Sequence, residues 1–200
     1  MPRTPFSTNE FYIEGQGGVA FDTDFQTITF PTGSKHGTGL HWHEMHAEYL
    51  SITQGLALVT LGDETLVVGP EDGVVTIPRY VKHDYRRADA VTDKARDVAL
   101  IVKEWTEPAD GEKQRFFRNV VGVIKDRKQG LLASVWTLCQ LFVIFRGLDN
   151  YPVLLPMPKL LGSAGRGVER IFTYGVLAIV AIFGWLLGLK VEYPEYTQAA

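Results

Sequence analysis

The stretch His41-Trp-His-Glu-Met-His-Ala-Glu48 places three histidines and two glutamates within eight residues, and Gly55 and His83 follow it along the chain. Side chains alternate between the two faces of a β-strand, so a strand through this segment would present His41 and His43 on one face. Imidazole nitrogens with one carboxylate oxygen suit Mn, Fe, Ni, Cu and Zn and leave coordination positions open. If the surrounding residues fold as a small antiparallel barrel, the sequence predicts a metal site in its mouth.

The first half of the chain has the pattern of a β domain. Short apolar runs rich in Val, Ile, Thr and aromatic residues recur at regular spacing between turn residues such as Gln54-Gly55. Closing such strands into one barrel would remove exposed edges and leave an interior for one small ligand. The predicted strands cover residues 18–21, 27–30, 40–43, 48–53, 57–61, 65–68, 74–77, 82–86 and 98–105.

The metal-ligand pattern resembles the first motif of the cupin family. That motif is HxH, four residues, Glu, six residues and Gly, and it is matched by His41, His43, Glu48 and Gly55. The resemblance implies a mainly β fold with a single cupin barrel of jelly-roll type. It also implies that His41, His43, Glu48 and His83 bind a divalent transition metal, whose identity among Fe, Mn, Ni, Cu and Zn stays open.

The second cupin motif is matched less completely, by Gly73, Pro78 and His83. Gly73 stands one position closer to the proline than in the family pattern. Tyr80 occupies the place of a glycine, and Arg87 occupies the place of the terminal Asn. The resemblance covers roughly residues 20–105.

Two further segments narrow the resemblance. Ile77-Pro-Arg-Tyr-Val-Lys-His83 and Asp149-Asn-Tyr-Pro-Val resemble small fungal cupin proteins encoded with polyketide pathways, some of which are named oxidoreductases. This implies a metal-dependent oxidoreductase acting on a small aromatic or polyketide-derived intermediate. No GxGxxG motif follows a strand, so redox chemistry would come from the metal, dioxygen or a partner biosynthetic enzyme. A non-redox dehydratase, isomerase or cyclase, and a membrane-anchored binding module for a hydrophobic intermediate, remain alternatives.

Strand alternation also predicts the neighbours of the metal. Tyr85 and Arg87 share a face with His83, so Tyr85 is a candidate proton donor to a substrate oxygen and Arg87 a candidate binder of a carboxylate or enolate. Alternatively, Tyr85 fills the barrel and Arg87 pairs with an acidic residue at the rim. His46 has the opposite parity to His43 and is predicted to lie at the rim or behind the ligands.

Composition limits the remaining possibilities. Two hundred residues suit one domain with an appendage, and the net charge of -3 gives no broad basic surface for nucleic acid. Cys139 is the single cysteine, so no disulfide can form within the chain. The N-terminal residues lack the apolar run of a signal peptide. The strand pattern and the resemblance to cupins together imply that residues 1–108 form the cupin barrel.

Residues 109–150 are predicted to form a helical extension. Apolar residues recur at helical spacing over 113–128 with basic residues among them, which suits packing on the barrel or, alternatively, contact with an anionic membrane. A second apolar run over 131–145 is shorter than the roughly 20 residues that a straight crossing needs. Residues 151–170 begin with a proline-rich stretch and are predicted to be a linker.

Residues 171–189, from Ile171 to Leu189, contain no formal charge and are long enough to cross a bilayer. Arg166 and Arg170 precede this run, which favours one crossing with the barrel in the cytosol, as in a tail-anchored protein. The alternative is an apolar helix docked on the barrel or on the second subunit of a homodimer.

Overall fold

The computed structural model describes residues 3–5, 11–22 and 24–197, so most of the N-terminal segment considered for a signal peptide lies outside them. The chain divides into two compact units. One unit, Thr8–Gln114, contains most of the strands and is called the strand unit below. The other, Met1–Ser7 with Arg115–Ala200, contains most of the helical residues and is called the helical unit.

Two antiparallel sheets make up the strand unit. Within this unit, one sheet has the strand order β1-β2-β3-β10-β5-β8 and the other the order β4-β9-β6-β7. Contacts between side chains of the two sheets place them face to face, as a sandwich. The strands are β1 (Phe11–Ile13), β2 (Val19–Phe21), β3 (Thr27–Phe30), β4 (His41–Trp42), β5 (Ala47–Gln54), β6 (Ala57–Leu61), β7 (Glu64–Val68), β8 (Val74–Ile77), β9 (His83–Arg87) and β10 (Leu100–Glu107).

Each predicted strand corresponds to an observed one, but the predicted closed barrel does not form in the described residues. The two sheets do not join through their edges: β8 is an edge strand of one sheet and β7 is an edge strand of the other. Strand β4 is also only two residues long, so it pairs over a single position. Strand β1 was not predicted.

The space between the sheets is lined by apolar side chains, with polar groups at one end. On β5, Leu50 and Ile52 are buried between partly exposed neighbours, and Glu48 continues the same buried row toward the start of the strand. This agrees with the predicted parity. A buried carboxylate at the end of an apolar row requires compensating partners, because an isolated charge is costly to bury. The partners of Glu48 therefore define the site.

The helical unit contains helices α2 (Leu131–Gly147), α3 (Gly162–Leu186) and α4 (Pro194–Thr197), most of α1 (Glu112–Lys125) and the short strand β11 (Tyr151–Pro152). The first two helices were predicted within three residues of their observed ends. Helix α3 starts at Gly162, inside the predicted linker 151–170, and its Gly165 lies close to the turn that precedes the helix. A Cβ added at Gly165 would lie 2.9 Å from the Cβ of Leu161.

The third helix also ends earlier than the predicted crossing segment. Gly188, at φ 73°, follows the last turn of α3 in the left-handed conformation that commonly terminates helices. With the preceding 3₁₀ turn, the helical stretch Lys159–Leu186 is long and apolar enough to cross a membrane. A core helix of a water-soluble protein can meet the same criterion, although here only 22% of its most apolar window is buried.

Candidate metal centre

The four predicted ligand residues, His41, His43, Glu48 and His83, converge between the two sheets. Each offers one ligand atom, and these four atoms all lie within 4.8 Å of one another. His41 on β4 is the direct cross-strand partner of His83 on β9, and Glu48 reaches them from β5 of the opposite sheet. His43 follows β4 and its ring lies 4.9 Å from the ring of His41. A ligand set of this kind binds divalent transition metals.

Backbone carbonyls orient two of the imidazoles. The Nδ1 of His41 lies 2.7 Å from the carbonyl oxygen of Gly39, and the Nδ1 of His83 lies 3.0 Å from that of Val81. A carbonyl oxygen can only accept a hydrogen bond, so each Nδ1 carries the proton and donates it. The Nε2 lone pair of each ring is therefore available, and this is the tautomer that a metal-binding histidine adopts.

Two buried atoms at this site have no hydrogen-bond partner within the described part of the chain. They are the Nε2 of His83 and the Oε1 of Glu48, which face each other at 3.4 Å. A buried polar atom without a partner costs free energy. A cation between the two atoms would satisfy both, so the residues present fit a bound metal ion.

The ionisation states also suit a metal. Burial raises the pKa of Glu48, but the Lys113 ammonium and His83 outweigh burial and hold that pKa well below its usual range. Burial and the adjacent imidazoles of His83 and His43 lower the pKa of His41 well below its usual value. The site therefore offers an anionic carboxylate and a neutral imidazole at neutral pH, which are the ligating forms.

The pKa of His83 shifts in the opposite direction to that of His41 when no cation is bound. Burial lowers its pKa, but the Glu48 carboxylate outweighs burial and raises it overall. A proton on the Nε2 of His83 therefore competes with a metal ion for the same position.

A network of buried charges behind Glu48 was not predicted. The Lys113 ammonium, from the first turn of α1, donates to one oxygen of Glu104 and lies 3.6 Å from the Oε2 of Glu48. The Tyr85 hydroxyl donates to the other oxygen of Glu104. Glu104 occupies an inward position of β10, in register with Leu100 and Val102, so strand parity would have revealed it. No local pattern identifies Lys113, because its position depends on where α1 packs.

The predicted role of Tyr85 as proton donor acquires a specific partner. Tyr85 is fully buried, and burial followed by the Glu104 carboxylate raises its pKa well above the usual value. The phenol therefore keeps its proton near neutral pH. Its proton is directed at Glu104, so these two residues form a hydrogen-bonded pair beside the proposed ligands.

The Arg87 contacts agree with the alternative in which its guanidinium pairs with an acidic residue, and its substrate-binding role stays a prediction. Its guanidinium donates to the carbonyl oxygens of Ala95 at 2.5 Å, Arg96 at 3.0 Å and Val98 at 2.5 Å. Its Nε also donates to Asp89 at 3.2 Å. These contacts assign Arg87 to the support of the loop before β10.

His46 lies outside the four-residue cluster, as its parity predicted. Its Nε2 lies 3.2 Å from the Oδ2 of Asp110, and its Nδ1 lies 3.8 Å from the Oε1 of Glu112. His46 is buried but paired with acidic groups that follow β10.

No protein-family model matches this chain. A curated relative from Hypocrea virens, named "Probable oxidoreductase virH", is 27% identical over 192 residues, covering 94% of this chain and 80% of the relative. Among solved structures, a predicted oxalate decarboxylase from Thermotoga maritima is 15% identical, with a TM-score of 0.38, covering 53% of this chain and 97% of that one.

The cupin domain of Cnp3 from Schizosaccharomyces pombe is another similar structure. It is 15% identical with a TM-score of 0.31, and the match covers 52% of this chain and 69% of that one. The resemblance that the two motifs implied is confirmed: the chain is similar to cupin-domain structures and to a fungal protein named a probable oxidoreductase.

Proposed function

We propose that this protein is a metal-dependent cupin oxidoreductase that acts on a small aromatic or polyketide-derived intermediate of fungal secondary metabolism. One observation carries the proposal: three imidazoles and a carboxylate converge, and two of their buried atoms, 3.4 Å apart, have no hydrogen-bond partner among the described residues. The name of the fungal relative supports the oxidoreductase class.

His41, His43, Glu48 and His83 would hold the metal. When bound, a divalent transition metal supplies Lewis-acid or oxygen chemistry at the open coordination positions. Apolar side chains such as Leu50 and Ile52 exclude water beside the site, which strengthens its electrostatic interactions.

The protein's own groups control protons near the substrate. The Tyr85 hydroxyl keeps its proton and donates a hydrogen bond to Glu104, whose second oxygen accepts one from Lys113. Lys113 also compensates the charge of Glu48, so the carboxylate ligand stays anionic. These residues can accept or return a proton close to a substrate held beside the four proposed ligands.

Metal analysis of the purified full-length protein tests the proposal. We expect about one transition-metal ion per chain, and its loss together with turnover in a His41→Ala, His83→Ala double variant. His36→Ala is the matched control, because His36 is outside the cluster and bonds the carbonyl of Gly15. A double variant that keeps both metal and turnover would contradict the proposal.

A non-redox reaction is the second candidate, and the buried Glu104 pair favours it. Dehydration, isomerisation or cyclisation requires a proton to move beside a polarised carbonyl, and Tyr85 with Glu104 lies at the proposed metal site. Product formation without dioxygen and without an added electron acceptor would select this class. Metal binding without any turnover would instead indicate a binding module that serves partner enzymes.

We further propose that α3 attaches the enzyme to a membrane, where hydrophobic intermediates concentrate. The sequence predicts one crossing with the strand unit in the cytosol, and the helical stretch Lys159–Leu186 is long enough for it. Extraction of membranes with alkaline carbonate tests the attachment. Release of the whole protein would favour a helix covered by a second subunit.

A further inference from the structure

Helix α3 has one buried side and one exposed apolar side. Its buried residues include Gly165, Glu169, Thr173, Leu177 and Gly184. From position 171 to the end of the helix, the exposed side carries no charged residue. Its exposed large side chains include Ile171, Phe172, Ile179, Ile182, Phe183, Trp185 and Leu186.

The segment that follows α3 folds back onto the rest of the helical unit. The backbone N–H of Tyr193 donates to Asn119 of α1 at 2.8 Å, and its hydroxyl donates to Gln140 of α2 at 2.8 Å. The Tyr196 hydroxyl donates to Asp126 at 2.6 Å. The guanidinium of Arg3 stacks 3.0 Å from the centre of the Tyr193 ring. Residues 190–197, called the tail below, are therefore held beside α1, α2 and Arg3.

An extended connector runs along the first half of α3. The Met157 N–H donates to Glu169 at 2.8 Å, and the Thr173 hydroxyl donates to the Pro152 carbonyl at 2.9 Å. Leu155, between these contacts, is 37% exposed. This connector has irregular backbone, and part of it lies on the surface.

These contacts conflict with a helix that crosses the bilayer. At a rise of 1.5 Å per residue, Thr173 and Glu169 lie about 20 and 26 Å along the axis from Leu186. If Leu186 were at one interface, both residues and their connector would lie within the hydrocarbon core, which is roughly 30 Å thick. Exposed irregular backbone does not occur at that depth, and a buried carboxylate there is expensive. A helix lying along the interface avoids both costs.

The charge of the helical unit suits an anionic surface. Residues 115–200 contain ten Lys and Arg against five Asp and Glu, whereas residues 1–114 contain ten against eighteen. Exposed cations, Arg146, Arg166 and Lys190, lie close to the apolar helices in sequence. Apolar faces flanked by basic residues bind anionic lipid headgroups.

We infer that the helical unit binds an anionic membrane surface with α3 lying in the plane of the interface, so that the tail and α1 stay on the same side of the bilayer. This inference rests on the proposed membrane attachment and replaces the single crossing with an in-plane arrangement.

Vesicle flotation of the full-length protein tests whether the helical unit binds an anionic membrane surface. We expect binding to vesicles of phosphatidylcholine with 30% phosphatidylserine to exceed binding to phosphatidylcholine alone, and to fall between low salt and 0.5 M NaCl. Ile182→Asp should weaken binding roughly tenfold or more, because Ile182 is 61% exposed and its burial in the interface is lost. Leu66→Asp is the control, since Leu66 is 44% exposed on β7 of the strand unit, and its binding should match wild type.

Protease protection with terminal tags tests the orientation. On sealed membranes, protease should remove tags at both ends without detergent. A bound protein whose C-terminal tag is protected would overturn the in-plane arrangement while leaving the attachment intact. Absence of vesicle binding, with a dimer that Ile182→Asp dissociates, would overturn the attachment itself, and with it this inference.

Discussion

Replacing Lys113 with methionine isolates the buried charges behind the proposed metal ligands. The change keeps much of the apolar stem but removes the ammonium that contacts Glu104 and lies 3.6 Å from Glu48. At an effective dielectric constant of about 20, a pair at this distance interacts by roughly 5 kcal/mol. Leaving a buried charge without its partner costs about 3–5 kcal/mol in measured cases. We expect metal-free Lys113→Met to lose stability in this range at pH 7.5.

Urea unfolding of the metal-free protein, followed by circular dichroism, measures this loss. Lys103→Met is the matched control, because Lys103 lies on the same strand as Glu104 but its side chain is exposed. That variant should stay within about 0.5 kcal/mol of wild type. Adding Glu104→Gln to Lys113→Met should restore part of the stability, because it removes one of the two uncompensated carboxylates.

The pH dependence of the same variant separates charge from packing. Lys113 helps to hold the pKa of Glu48 below its usual value, and a group with a lowered folded pKa adds stability above its unfolded pKa. That contribution disappears as pH falls through the folded pKa. In Lys113→Met, burial is left to raise the pKa of Glu48, so the uncompensated carboxylate can take up a proton as the pH falls toward the unfolded pKa of about 4.5, and the deficit should shrink toward pH 4. A deficit of under 1 kcal/mol at pH 7.5, or one that is equal at both pH values, would refute the electrostatic argument.

Three other changes test individual residues. His83 has a raised pKa, so its pairing with Glu48 stabilises the metal-free protein below the unfolded pKa of about 6.5 and is lost as pH rises through the folded pKa. Metal affinity should rise over that same pH window, because the proton on His83 is lost there. Isothermal titration calorimetry at pH 6 and pH 8 measures this change. Equal affinities at the two pH values would contradict the competition between proton and metal. Arg87→Gln should destabilise the protein by about 2–4 kcal/mol without loss of metal, because it removes hydrogen bonds to the loop before β10. Loss of metal from a folded variant would instead indicate that Arg87 contributes to the metal site. Tyr80→Gly should leave metal content and folding unchanged and alter substrate range, because Tyr80 has a φ of 66° that glycine adopts freely and is 48% exposed. Metal analysis and thermal unfolding check the last two, and loss of metal in Tyr80→Gly would contradict its placement outside the ligand set.

The sequence predicted the parts of the site that depend on local geometry. His41 and His43 share a face because strand side chains repeat every second residue, and Glu48 begins the inward row of the next strand. Strand positions were predicted well because one buried face imposes strict alternation. The same rule would have identified Glu104, which lies two residues beyond Val102 on the inward face of β10.

Tertiary packing decided the rest. Arg87 has the right parity for the pocket, yet its guanidinium turns to the loop carbonyls that arrive beside it. Lys113 reaches Glu48 and Glu104 only because α1 begins there, sixty-five residues after Glu48 in the chain. Long-range contacts of this kind leave no trace in local periodicity.

Helix α3 shows the same division between what the sequence determines and what tertiary packing determines. Its uncharged run was evident from the sequence, since hydropathy is a property of consecutive residues. Whether that run crosses or lies along a bilayer depends on what packs against it. The contacts of Tyr193 with Asn119 and of Glu169 with Met157 are those from which we infer the in-plane arrangement. Sequence alone therefore determined which residues are apolar or able to bind a metal, whereas the fold determined which of their polar atoms remain unsatisfied and which surfaces remain uncovered.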